Sequence, residues 1–259
     1  VDSEDLPLNV SREMLQHNLV VKRIRSALIR RIFSELKKKS EKDPEDYNNF
    51  WENFGAVLKE GLYEDHENRE KILEIVRFNT TASDKFISLS EYVGRMQKGQ
   101  EDIYYISGEG LDLLKSSPQL EGFRARGIEV LLMTDPVDEF WLPMVGKFDE
   151  KSFTSVTSGN VDLTKIKDKK SPKTDKEDTK TTIANDALVA KLILAFKETL
   201  GEAVKDVCSS ERLTDSAVCL VAGEGDMDLH LERMLKMQGQ MDVPGAARVL
   251  EINPTHPLI

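Results

Sequence analysis

Apolar residues recur at helical spacing through the first part of the chain. Val21, Ile24, Leu28, Ile32 and Leu36, broadened by Ile29 and Phe33, predict a helix from a cap at Asn18 to about Lys39. Asp43-Pro44 opens a second helix, Asp as the cap and Pro at the first helical position. Phe50, Phe54, Val57 and Leu58 form its apolar face, and Gly61 is its expected stop. A third helix over about 67–78 turns Ile72, Leu73, Ile75 and Val76 inward. Three helices with short connections predict a small bundle.

The periodicity then changes. Ser88 and Glu91 have the spacing of a capping box for a short helix reaching Met96. Short β-rich apolar runs at 103–106 and 128–133, and a third strand over 151–157, alternate with helical segments that end at Gly127 and Val145. Strands alternating with helices predict a small α/β layer with parallel pairs. Residues 158–182 are rich in Lys, Asp and Thr and poor in large apolar side chains, so they read as a charged linker. Beyond it Asn185 caps a helix over 187–200, whose Leu188, Leu192, Phe196 and Leu200 lie four apart. Strands over 204–213, 217–222 and 249–252 and a Met- and Leu-rich helix over 226–238 follow. The expected class is mixed α/β (α+β): a three-helix bundle and a small α/β layer in residues 1–157, the linker 158–182, and a second small α/β domain in 183–259.

Charge and composition narrow the function. A net charge of -10 over 259 residues argues against general nucleic-acid binding, which selects a Lys and Arg surplus. Arg23, Arg30, Arg31 and residues 37–39 read as a solvated helix face. No apolar run reaches membrane-spanning length. Cys208 and Cys219 match no zinc or redox spacing and read as reduced thiols. Neither Gly108-Glu109-Gly110 nor Gly223-Glu224-Gly225 has the form of a phosphate loop, nucleophile elbows are missing, and the four His show no metal-ligand spacing, so no metal is expected. Two segments invite another reading. Glu139, Phe140 and Trp141 put two aromatics on a short helix beside Pro143. Met227, Leu231, Met234 and Leu235 belong to a segment apolar on more than one side. On spacing alone these residues are either core or an interaction surface for varied apolar partners.

A resemblance supplies the rest. DLPLNVSREMLQ at 5–16 closely resembles the catalytic loop of the heat-shock protein 90 chaperones. FGAVLKEGLYED at 54–65, IYYISGE at 103–109, GIEVLLMTDPVDEFW at 127–141 and LEINPTHPLI at 250–259 resemble further family segments, in family order and closest to bacterial members. The resemblance implies the latter part of the middle domain and most of the C-terminal domain. The nucleotide-binding domain would precede the chain and the final dimerisation helices would follow it. It implies that Arg12, supported by Asn9 and Gln16, reaches the γ-phosphate of ATP. The always-charged, forked guanidinium suits the charge of a transferring phosphoryl group. ATP and magnesium would be held by the separate nucleotide domain, with no cofactor in this chain, so the full-length protein would be an ATPase and this chain alone inactive. It further implies a client surface from Glu139, Phe140, Trp141, Met227, Leu231, Met234 and Leu235, with Phe140 where bacterial members often carry Trp. Expected partners are partly folded clients, co-chaperones and a second full-length subunit, in the cytoplasm and in the stress response. The alternative is a non-catalytic interaction scaffold.

Overall fold

The computed structural model describes residues 19–159, 161, 163, 166, 179–223, 225–237, 239 and 247–259, with side chains in the helix that begins at Thr179 described from residue 187 onward. Contacts divide the chain into two compact units, 1–77 and 78–259.

In the first unit α1 (Leu19–Lys42), α2 (Pro44–Glu64) and α3 (Arg69–Ile75) pack against one another. Asp43 caps α2 by accepting from the Asp46 N–H, as the Asp-Pro pair predicts. The helix does not stop at Gly61 but runs on to Glu64. Gly61 serves close approach instead: a Cβ there would lie 2.7 Å from the Ile72 Cδ1 of α3. Tyr47 and Trp51 of α2 fill the core with Leu62, Ile72 and Ile75. The Tyr47 hydroxyl donates to the Ile75 carbonyl at 2.8 Å, and burial pushes its pKa up to about 12. The cationic side chains of α1 are solvated: Arg31 pairs with Glu35 at 3.0 Å and Lys37 with Glu74 at 2.5 Å, both largely exposed and worth little.

The second unit carries two sheets. Strands β1 (Asn79–Thr80), β2 (Ile103–Ser107), β3 (Leu131–Met133), β4 (Lys147–Phe148) and β5 (Lys151–Ser155) form the first, in the order β1-β3-β2-β5-β4. The central β2 runs parallel to β3 and β5, in register Tyr105↔Leu131 and Ile103↔Phe153, and the short outer strands are antiparallel. The mixed α/β class is thus the observed one. β3 is buried along its whole length, as a strand covered on both faces must be. Tyr104, Ile106, Leu120, Phe123, Val130 and Leu132 anchor one core, and Leu163 and Ile166 join it from the charged stretch after β5.

Helix α4 (Leu89–Arg95) has the predicted capping box: Ser88 and Glu91 satisfy each other's backbone N–H groups. The short α5 (Leu111–Lys115) and α6 (Glu121–Arg126) follow β2. Gly127, at φ 66, ends α6 with the Ile128 N–H donating to the Phe123 carbonyl at 2.8 Å. Helix α7 (Asp138–Val145) lies between β3 and β4.

Helix α8 (Thr179–Leu200) starts before the predicted Asn185 cap. Its Leu192, Ile193, Phe196 and Leu200 cover the second sheet, against Val207, Leu250 and Ile252. That sheet consists of β6 (Val204–Ser209), β7 (Val218–Val221) and β8 (Arg248–Ile252), in the order β6-β8-β7. β6 is parallel and β7 antiparallel to β8. Helix α9 (Leu229–Met237) lies between β7 and β8 in the chain.

Candidate functional site

The two segments singled out by their aromatic and Met content fold as α7 and α9, and each is held differently. In α7, Trp141 is fully buried between Phe78 and Phe153, with ring centroids 6.1 and 5.5 Å away. Its indole N–H donates to the Asp138 carboxylate at 2.7 Å, so the first turn of the helix is tied to the core. Pro143 lies inside the helix and supplies no N–H for the Glu139 carbonyl. Phe140 is turned outward and is 40% exposed. In this conformation Trp141 and Glu139 present almost no surface, and Phe140 is the member of the trio that a partner can touch.

α9 has no such anchor; its one buried side chain is Glu232. Asp228 caps it, accepting from the His230 N–H at 2.9 Å. The other oxygen of the same carboxylate accepts from the hydroxyls of Ser155 and Thr157, both at 2.6 Å, which ties the start of α9 to the end of β5. Arg248 donates to the Met227 carbonyl at 3.0 Å and pairs with Glu232, while Lys205 holds Asp226 at 2.8 Å. On this polar frame Met227 is exposed and Leu231, Met234 and Leu235 are half-buried.

Electrostatics link the two helices. Burial lifts the Glu139 carboxyl to about 7, with Asp228 and Asp138 adding to the rise and the Ser107 hydroxyl opposing it. Tyr105, in β2, is pushed up by burial and by both Asp228 and Glu139. The start of α7 and the cap of α9 therefore share one desolvated acidic neighbourhood.

The two sheets are joined by a built junction. Arg212, almost wholly buried, donates to the carbonyls of Val156 and Ser158 and pairs with buried Glu251 at 3.0 Å. Glu121, at the start of α6, accepts the backbone N–H groups of Thr214, Asp215 and Ser216 at 2.8, 2.9 and 3.1 Å. Burial works to raise its pKa, but the Ser216 hydroxyl and these three donors hold it below the usual carboxylate value. Gly122 permits this docking: a Cβ there would lie 2.8 Å from the Arg212 backbone.

Asn9, Arg12 and Gln16 lie outside the described residues. Sequence reasoning missed Asp228, whose place just before an apolar helical run is a readable cap signal. It also missed Arg212, Glu121 and Gly122, whose partners are distant in sequence and leave no local pattern. Among the described residues no cluster of three or more His, Cys, Asp or Glu side chains is placed to hold a metal, and no helix is long and apolar enough to cross a membrane.

A helical unit followed by this pair of mixed sheets is matched over residues 1–259 by the family described as Hsp90 protein, and the chain belongs to that family. Among curated proteins, the Chaperone protein HtpG of Paramagnetospirillum magneticum is 55% identical over 260 residues, covering 100% of this chain and 41% of that protein. The proteins of the same name from Roseobacter denitrificans and Gluconobacter oxydans are 51% and 49% identical, again over 100% of this chain, and over 41% and 40% of their own lengths. The chain thus spans about two fifths of the relatives it matches.

Proposed function

We propose that this chain is the middle and C-terminal portion of an ATP-dependent molecular chaperone. The name shared by relatives about half identical to it supports the chaperone reading. The observation that carries the client-binding part is α9, an amphipathic helix that rests on polar ties and leaves Leu231, Met234 and Leu235 half-buried, with Met227 exposed just before it. Flexible Met side chains adapt to varied apolar partners. Exposed Phe140 on α7 adds an aromatic contact, with buried Trp141 as the support that fixes its helix. The clients are partly folded proteins, which expose the apolar segments that such a surface takes.

The ATPase half of the proposal rests on the loop sequence at 5–16. Arg12 supplies its guanidinium to the γ-phosphate of ATP held with magnesium by the protein's own nucleotide domain, and Asn9 and Gln16 position the loop. The full-length protein works as a cytoplasmic homodimer in the stress response, with co-chaperones as further partners.

The test joins this chain to an Hsp90-family nucleotide domain and its dimerisation helices and measures ATP turnover and client binding. Arg12→Ala should lower turnover at least about a hundredfold with nucleotide binding nearly unchanged. Phe140→Asp and Met234→Asp should weaken binding of a partly unfolded protein while the circular-dichroism spectrum stays folded. Unchanged turnover in the first variant, or unchanged client binding in both of the others, overturns the corresponding half and leaves an interaction scaffold.

A further inference from the structure

A groove of about 620 Å³ lies between α9, the edge strand β7 and the turn that precedes α6. Leu229, Arg233 and Lys236 line it from α9, Val218 and Leu220 from β7, and Gln119 from the turn. Leu229, Arg233 and Lys236 fall on one face of α9 by helical spacing, opposite the face that carries Leu231, Met234 and Leu235. The groove is therefore a different surface from the client face proposed above.

Three features define what fits it. The first is backbone. β7 is the outer strand of its sheet, and its alternate residues serve different sides. The Asn253 N–H donates to the Ala217 carbonyl at 2.8 Å, so odd-numbered residues face β8. Even-numbered residues face outward. Ala222 there exchanges hydrogen bonds with the extended stretch 157–159, its N–H donating to the Thr157 carbonyl and its carbonyl accepting from the Gly159 N–H, both at 2.9 Å. One step along the edge, the Gln119 side-chain amide donates to the Leu220 carbonyl at 2.7 Å, taking the position of a neighbouring strand's N–H. The Leu220 N–H and the backbone of Val218 point the same way, along the groove. The second feature is apolar: Val218 and Leu220 are 40% and 46% exposed there. The third is charge. Glu232, the groove's carboxylate, is buried and already pairs with Arg248 and Lys236. The rim at Arg233 and Lys236 is therefore cationic in a chain whose net charge is -10.

We propose that this groove takes an extended segment of another protein, added as a strand along the outer edge of β7, with apolar side chains over Val218 and Leu220 and a carboxylate beside Arg233 and Lys236. Among the described residues nothing pairs the Leu220 N–H or the outward backbone of Val218, and an edge of that kind is a template for such addition, in which main-chain hydrogen bonds give affinity and side-chain pockets give selection.

The test titrates the full chain with a fluorescein-labelled peptide of alternating valine and threonine ending in two aspartates, against the same peptide ending in two lysines. The aspartate peptide should bind saturably and roughly tenfold or more tightly than its control. On binding, the Leu220 amide should gain protection from hydrogen exchange, while the Cys219 amide, which serves β8, should not change. Leu220→Pro removes an N–H that the sheet does not use and should weaken binding by about tenfold. Arg233→Glu should remove or reverse the preference between the two peptides. If Leu220→Pro loses the folded spectrum, the amide exchange and Arg233→Glu decide. Lack of saturable binding, or binding that leaves the Leu220 amide unprotected, overturns the proposal. So does a peptide-free dimer in sedimentation that already protects that amide, because a second copy of the chain would then be the occupant.

Discussion

Helices α7 and α9 resemble each other in sequence, short and rich in large apolar side chains, yet the fold holds them by opposite means. α7 is fastened by a side chain it buries: Trp141, with the indole tied to Asp138. α9 is fastened by polar contacts, and its apolar side chains are left partly free. The sheets they belong to differ in the same sense. β3 is buried throughout, whereas β7 alternates between exposed and buried positions. Apolar anchoring fixes a helix by burying the side chain that holds it, so that side chain is withdrawn from any partner. Polar anchoring fixes a helix while keeping its apolar surface available, which is what binding of changing partners requires.

The largest expected effect breaks the first kind of anchoring. Trp141→Ala removes an aromatic packed on Phe78 and Phe153 and leaves the Asp138 carboxylate buried without its indole donor. It should cost about 3–5 kcal/mol in urea denaturation of the second unit. A loss below about 1 kcal/mol would mean that α7 is not held by its core side chain.

Next comes the acidic neighbourhood that the two helices share. The Glu139 carboxyl titrates near 4.5 when the chain is unfolded and near 7 when folded. Between those values the folded protein holds a proton that the unfolded chain releases, so stability falls as pH rises from about 4.5 to about 7 and levels off above. Glu139→Gln keeps the shape, removes the charge and should flatten that decline. The gain at pH 8 should be on the order of 1–3 kcal/mol, with little change at pH 4.5. Asp138, Asp228, Tyr105 and Ser107 face the group and remain in place. A variant whose pH profile parallels the parent's would show that Glu139 is not desolvated in the fold.

How far these features can be read from the chain depends on the range of the forces behind them. The Asp43-Pro44 start, the Ser88–Glu91 capping box and the Gly127 stop are local, and the structure shows all three where the residues predict them. Gly61 misled because its role is steric and non-local: it lets Ile72 approach, and no neighbour in sequence reports that. The two-residue strands β1 and β4 escaped for a similar reason. Each exists only by pairing with a longer strand, and β4 turns into β5 through Asp149 and Glu150, both at positive φ, with none of the Gly or Asn that such turns favour. At the candidate site the apolar content of both helices was legible, but not which side chains would be inside. Trp141 and Phe140 are adjacent and similar in character. Only the position of Phe78 and Phe153 decides that one is core and the other surface.

The smallest effect tests the polar kind of anchoring, and it should be local where the loss of Trp141 is general. Asp228→Ala removes the α9 cap and the acceptor shared by the Ser155 and Thr157 hydroxyls. Those hydroxyls are 2.9 Å apart and can still satisfy each other, so the cost should stay near 1–2 kcal/mol. Hydrogen exchange should rise through residues 229–237 while α7 and β3 keep their protection. Asp228→Asn should restore the cap and most of the protection, because the amide oxygen still accepts from the His230 N–H. If exchange rises equally in α7, the two helices melt together, and α9 owes its place to the shared core rather than to its own polar ties.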